Sequence, residues 1–135
     1  MGQAVEFTAG IAMFFITLTM LAFLIIIINR KFIFIINRFG GKIKQGYFLL
    51  AKPLLKYHRW FALGAVLAIA VHGYFGYNYR GVEISGIIFG GCIFLLLLTD
   101  WYKTYLNKKA KLLTLHMVLS VAAMLALLLH YAILD

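Results

Sequence analysis

Acidic residues are scarce in this chain. Four Asp and Glu stand against thirteen Lys and Arg in 135 residues, and charged side chains make up only 13%. A water-soluble domain usually carries about 25%, so an ordinary solvated surface is excluded. There is one cysteine, Cys92, inside an apolar run. No internal disulfide can form, and its expected role is that of a small packed hydrophobe. Strand-period alternation of apolar and polar residues is missing as well, which argues against a membrane β-barrel.

What the chain has instead is 64% hydrophobic residues, gathered in four stretches. They run over Phe7–Ile28, Trp60–Tyr79, Ile84–Asp100 and Leu112–Leu134. Each is close to the roughly 20 residues that carry a helix across a hydrocarbon core of about 30 Å. The pattern predicts an all-α integral membrane four-helix bundle, one domain over residues 1–135, with no room for a second. The first stretch lacks the basic flank and small-residue cleavage site of a signal peptide. "MGQAVE" does not fit a myristoylation signal, because Glu6 stands where Ser or Thr is required.

The net charge of +9 could suggest nucleic acid, but its placement points to a membrane and to no nucleic-acid partner. Eight basic residues, Arg30, Lys31, Arg38, Lys42, Lys44, Lys52, Lys56 and Arg59, lie between the first and second stretches. Four more, Lys103, Lys108, Lys109 and Lys111, follow the third, whereas the remaining connection has only Arg80, set against Glu83. By the positive-inside rule both basic connections face the cytoplasm and both termini face outward. Attraction to anionic lipid accounts for the rest of the charge. The expected location is a prokaryotic cytoplasmic membrane.

The connection over residues 29–56 mixes Lys and Arg with Phe, Ile and Leu, as an interfacial anchor does. Gly40–Gly41 and Pro53 are expected to break it into short pieces. Tyr57, Trp60, Tyr74, Tyr77, Tyr79, Trp101, Tyr102, Tyr105 and Tyr131 gather near the span ends, which is ordinary belt behaviour. Gly86 and Gly90 in the third span form a small-xxx-small pair. It suits close helix packing or room for a flat cofactor, and spacing does not choose.

The four histidines form the one pattern that composition does not explain. "HRWFALGAVLAIAVH" runs from His58 to His72, and "HMVLSVAAMLALLLH" from His116 to His130. Fourteen residues come to almost four helical turns, so each pair shares a face and is separated in depth by about 21 Å. The second and fourth spans run in the same direction. His58 therefore matches His116 in depth, and His72 matches His130. Between them lie Ala62, Ala65 and Ala68 on one helix, and Ser120, Ala123 and Ala126 on the other, within an arc of roughly 120° with the histidines. Two such faces leave a gap suited to something flat and apolar.

Haem fits that description, with one imidazole on each side of the iron. Ala65 and Ala123 would then line the macrocycles. Zinc is less suitable, since it usually takes four ligands and no thiolate or carboxylate accompanies either pair. A different metal, a proton relay and simple packing remain the alternatives. No Cys-x-x-Cys-His occurs, so a haem here would be non-covalent.

Paired H-x13-H helices separated by one span resemble the di-haem transmembrane cytochromes b. The likeness covers Tyr57 to the C-terminus and extends to the haem bundle of quinol-oxidising respiratory complexes and to ferric reductase and NADPH oxidase membrane domains. It implies two bis-histidine haems b, one on His58 and His116 and the other on His72 and His130. The inferred orientation is that of the ferric reductase group, but no flavin or nicotinamide domain follows Asp135, so a complete ferric reductase is not expected. With Pro53 the only proline, the proline-glutamate-tryptophan-tyrosine signature of the quinol-oxidising family has no place.

The expected function is electron transfer across the membrane, as an oxidoreductase subunit served by partner subunits or a quinone pool. The alternatives are a stand-alone quinol- or metal-reducing enzyme, or a haem-free histidine pathway for protons or ions. Arg59, Lys56 and Lys111 are candidate propionate partners at one haem and Arg80 at the other, against a background role in topology and snorkelling. Asp100 is expected to pair with nearby Lys103 rather than take up protons.

Overall fold

A computed structural model describes the backbone of residues 2–38, 41–105 and 109–134, and all their side chains except 37, 103–105, 109–111 and 134. Among these residues the chain is helical almost throughout: α1 (Gly2–Lys31), α2 (Ile33–Arg38), α3 (Gly41–Arg80), α4 (Ile84–Tyr105) and α5 (Lys109–Leu134). Four helices, α1, α3, α4 and α5, are long and apolar enough to cross a membrane. Their outward faces carry large apolar side chains such as Leu67, Ile87, Phe94, Leu125 and Leu129, each more than half exposed. Burying such surface is worth about 25 cal/mol per Å², and a face this apolar is stable against lipid chains rather than water. Tyr57, Trp60, Tyr74, Tyr77, Tyr79, Trp101, Tyr102 and Tyr131 are all exposed, as belt residues are. Tyr105 lies outside the described side chains.

Of the breaks expected in the 29–56 connection, the one at Gly40–Gly41 falls between the end of α2 at Arg38 and the start of α3 at Gly41, but none occurs at Pro53. Helix α3 begins at Gly41, runs through Pro53 and reaches Arg80. Gly40 lies outside the described residues. Proline removes one bond, to the carbonyl four residues back, and its ring crowds that turn, at a cost of about 3 kcal/mol. Tertiary contacts flank the site and offset it. The Tyr47 hydroxyl donates to Asn29 Oδ1 at 2.8 Å, Ala51 is buried, and so is Ile36 of α2. The 40 residues of α3 extend for about 60 Å, twice the hydrocarbon thickness. Lys42, Lys44, Lys52 and Lys56 all stand exposed on its first half.

Helix α3 ends on Gly81, whose φ is +89°. Its N–H closes the last turn onto the Tyr77 carbonyl at 3.0 Å. A side chain would be strained in that left-handed conformation, which is why glycine closes the helix.

Helix α1 packs antiparallel along α3, and α4 packs antiparallel along α5. A thinner seam joins α3 to α4. Helix α3 nowhere approaches α5 within 8 Å between Cα atoms among the described residues, and α1 approaches neither α4 nor α5. The centre is filled by Ala12 and Ile16 of α1, Ala65 and Ala68 of α3, Phe89 and Ile93 of α4, and Ala123 and Ala126 of α5.

Candidate functional site

Helix register brings the histidines level. Arg59 meets Asp100 and Ile69 lies against Gly90, so α3 advances ten residues while α4 retreats ten. Thr99 meets His116 and Ser85 meets His130, fourteen residues apart on each helix. His58 adjoins Arg59, and Thr99 adjoins Asp100, so His58 and His116 share a depth. The same register carries His72 level with His130.

All four histidines are half-buried. The rings of His58 and His116 stand 6.2 Å apart between centroids and 75° between planes. Two imidazoles on opposite faces of one metal ion, with bonds of about 2.0 Å and about 1.1 Å more from nitrogen to ring centre, place the centroids about 6.2 Å apart. The spacing fits. A cleft at this end is walled by Thr19, Met20, Phe23 and Ile26 of α1, His58, Ala62 and Ala65 of α3, Ile93, Leu96, Leu97 and Asp100 of α4, and His116 and Ser120 of α5. Apart from the two imidazoles and Asp100 its lining is apolar or hydroxylic, as a macrocycle requires. Among the described residues no three of His, Cys, Asp and Glu gather closely enough to hold a metal ion themselves. Zinc usually takes four such ligands.

His72 and His130 make no such ring contact among the described residues. Each turns to a neighbouring helix. His72 Nδ1 lies 3.2 Å from the Val5 carbonyl and 3.4 Å from Thr8 Oγ1, while His130 Nδ1 lies 2.9 Å from Ser85 Oγ. At the first end His116 Nδ1 lies 3.1 Å from Thr99 Oγ1. In three of the four imidazoles the nitrogen nearer the backbone is therefore engaged. This is the usual arrangement of a histidine that binds metal through Nε2.

The small-residue faces behave differently from expectation. Ala65, Ala68, Ser120, Ala123 and Ala126 are buried and Ala62 is half-buried, but the space between the faces is not left open. Phe89 and Ile93 enter it from α4, so the two histidine pairs sit at opposite ends of a packed middle. The two glycines of α4 also divide their roles. Gly90 lies against Ile69 of α3, whereas a side chain on Gly86 would meet His130 Cε1 at 3.3 Å.

Asp100 pairs with Arg59 at 2.7 Å, and the expected partner Lys103 has its side chain outside the described residues. Arg59 thus has a carboxylate partner within the chain. Lys56 Nζ sits over the Tyr57 ring at 5.1 Å from its centre, and Arg80 is exposed at the end of α3. The side chains of Lys108, Lys109 and Lys111, and all of Asp135, lie outside the described residues.

Thr8, Ser85 and Thr99 are the site residues that sequence reasoning passed over. A signal for two of them was present, since Ser85 and Thr99 repeat the fourteen-residue spacing of the histidines. Comparison with protein-family models, with curated proteins and with solved structures finds no match to this chain.

Proposed function

We propose that the chain is a di-haem b-type cytochrome that carries electrons across a membrane, as one component of a longer redox chain. The observation that supports this best is the His58–His116 ring pair, 6.2 Å apart and contributed by two helices whose backbones never approach each other among the described residues. Haem, when bound, supplies a one-electron iron couple.

The residues have definite tasks on this reading. His58 and His116 ligate at one end, and His72 and His130 at the other, through Nε2. Two protein ligands on one iron leave no open position, which suits outer-sphere transfer rather than oxygen activation. Met20, Phe23, Leu96 and Leu97 exclude water from one cleft and keep its dielectric low. The fourteen-residue spacing sets the two sites about 21 Å apart in depth, one near each face of the bilayer. The basic connections put the His58–His116 site on the cytoplasmic side. Donor and acceptor are partner subunits or a quinone pool.

The test is a pyridine haemochrome assay with protein quantification on chain purified in detergent. Two haems b per chain with low-spin spectra are expected. One haem or none rejects the di-haem reading.

A further inference from the structure

We propose that Thr8 and Thr99 are positioning residues that preset the tautomer of His72 and His116, so that Nε2 is a lone-pair ligand before any metal arrives, and that Ser85 restrains the His130 ring. The inference rests on the haem reading for its purpose, but its physical basis is independent of it.

The argument turns on where each hydroxyl proton goes. Thr99 donates its own to the Leu96 carbonyl at 2.8 Å. Only the oxygen's lone pairs then remain for His116 Nδ1, 3.1 Å away, and the ring must be the donor. Thr8 is committed in the same way. Its hydroxyl donates to the carbonyls of Ala4 at 2.8 Å and Val5 at 3.0 Å. His72 Nδ1 therefore faces two groups that can only accept, the Thr8 oxygen at 3.4 Å and the Val5 carbonyl at 3.2 Å. A neutral imidazole has one proton, and a proton fixed on Nδ1 leaves Nε2 bare. Ser85 Oγ lies 2.9 Å from His130 Nδ1, on one helical face with Thr99, and restrains that ring whichever of the two donates. Helix α4 contributes no ligand, yet it holds both imidazoles of α5.

Hydroxyls within membrane helices usually bond back to their own helix, and Thr17 does only that, donating to Met13 at 2.8 Å. Thr8 and Thr99 do this and also face an imidazole, so back-bonding turns each from an ambiguous partner into a pure acceptor. The ring is also restrained in rotation, which aims Nε2 away from the helix that supplies the hydroxyl. Loss of such an outer partner typically weakens metal binding by about 10–100-fold.

The full chain, prepared with and without haem and labelled with ¹⁵N-histidine, provides the test. Without haem, the His72 and His116 rings should carry their proton on Nδ1. Thr99→Val should abolish that preference at His116 and leave His72 unchanged. With haem, Thr99→Val should release haem about 10-fold or more faster to an apo-globin trap from one site only, and shift that site's low-spin signature. Ser85→Ala should do the same at the other site, and Thr99→Ser should restore the wild-type behaviour. Each variant's unaffected site serves as its folding control. Nε2-protonated rings in the haem-free wild type, or Thr99→Val and Ser85→Ala proteins with unchanged haem release and spectra at both sites, would overturn the inference. A wild type that binds no haem but shows Nδ1-protonated His72 and His116 would defeat the haem reading and leave the tautomer assignment standing.

Discussion

Arg59 Nε and Asp100 Oδ2 meet at 2.7 Å and tie α3 to α4 beside the histidine site, one residue beyond His58 on one helix and one beyond Thr99 on the other. The carboxylate side chain is 17% exposed and the guanidinium 60%. A pair with one solvated partner contributes about 0.2–1 kcal/mol. Arg59→Gln and Asp100→Asn should each lower the melting temperature in detergent slightly, and the double variant should be no worse than the worse single one. Strictly additive losses in that cycle would show that the two side chains do not act as a pair.

Each spectral component should belong to one pair of histidines. His58→Ala and His116→Ala are expected to remove the same component, and His72→Ala and His130→Ala the other. Low-temperature visible spectra of reduced protein measure this. Identical losses in His58→Ala and His72→Ala would break the pairing by depth.

Glycine replacements on α4 should separate packing from site geometry. Gly90→Ala places its methyl 3.5 Å from Ile69, an ordinary contact, and gains helix propensity of about 0.5–1 kcal/mol. It should be neutral or stabilising. Gly86→Ala places its methyl 3.3 Å from His130 Cε1, and should disturb the His130 spectrum alone. The check is to compare melting temperature and spectra of the two variants. A perturbed His130 site in Gly90→Ala with an intact one in Gly86→Ala would reverse the assignment.

The residues that chose the fold were readable because lipid imposes a simple rule. Long apolar runs such as Phe7–Ile28 must be helical to satisfy their own backbone groups, and a fourteen-residue repeat of histidine fixes a face and a depth. Pro53 was misread because local propensity favours a break there, whereas Tyr47–Asn29 and the burial of Ala51 are long-range contacts invisible to a local rule. The Arg59 partner of Asp100 was not legible for a related reason, since it arrives from another helix through a register that only packing defines. Phe89 and Ile93 read as generic membrane residues, and nothing in one dimension places them between the two small-residue faces.

Both termini should face outward, since twelve of thirteen basic residues lie in the two connections assigned to the cytoplasm. A C-terminal fusion to a reporter active only outside the cytoplasm should be active. Activity of a cytoplasm-only reporter at that position would exchange the sides assigned to the two histidine sites.

Reconstituted protein should pass electrons through a sealed bilayer. Haem-loaded wild type in liposomes is expected to reduce a trapped impermeant oxidant when an impermeant reductant is added outside. His72→Ala should be severely slowed, because one of the two sites is lost. Equal rates in the two, or no transfer by fully loaded wild type, would end the proposal of transmembrane conduction.

The packing of α1 on α3 and of α4 on α5, with only a thin seam between, makes this chain two helical hairpins joined at Gly81–Glu83. His58 and His72 belong to the first and His116 and His130 to the second. Neither hairpin owns a complete site. On the proposed reading each haem would therefore also be a rivet, adding ligation at both ends to the shared core and the Arg59–Asp100 pair that join the two halves. On that reading, haem-free chain should come apart into its two hairpins more readily than haem-loaded chain.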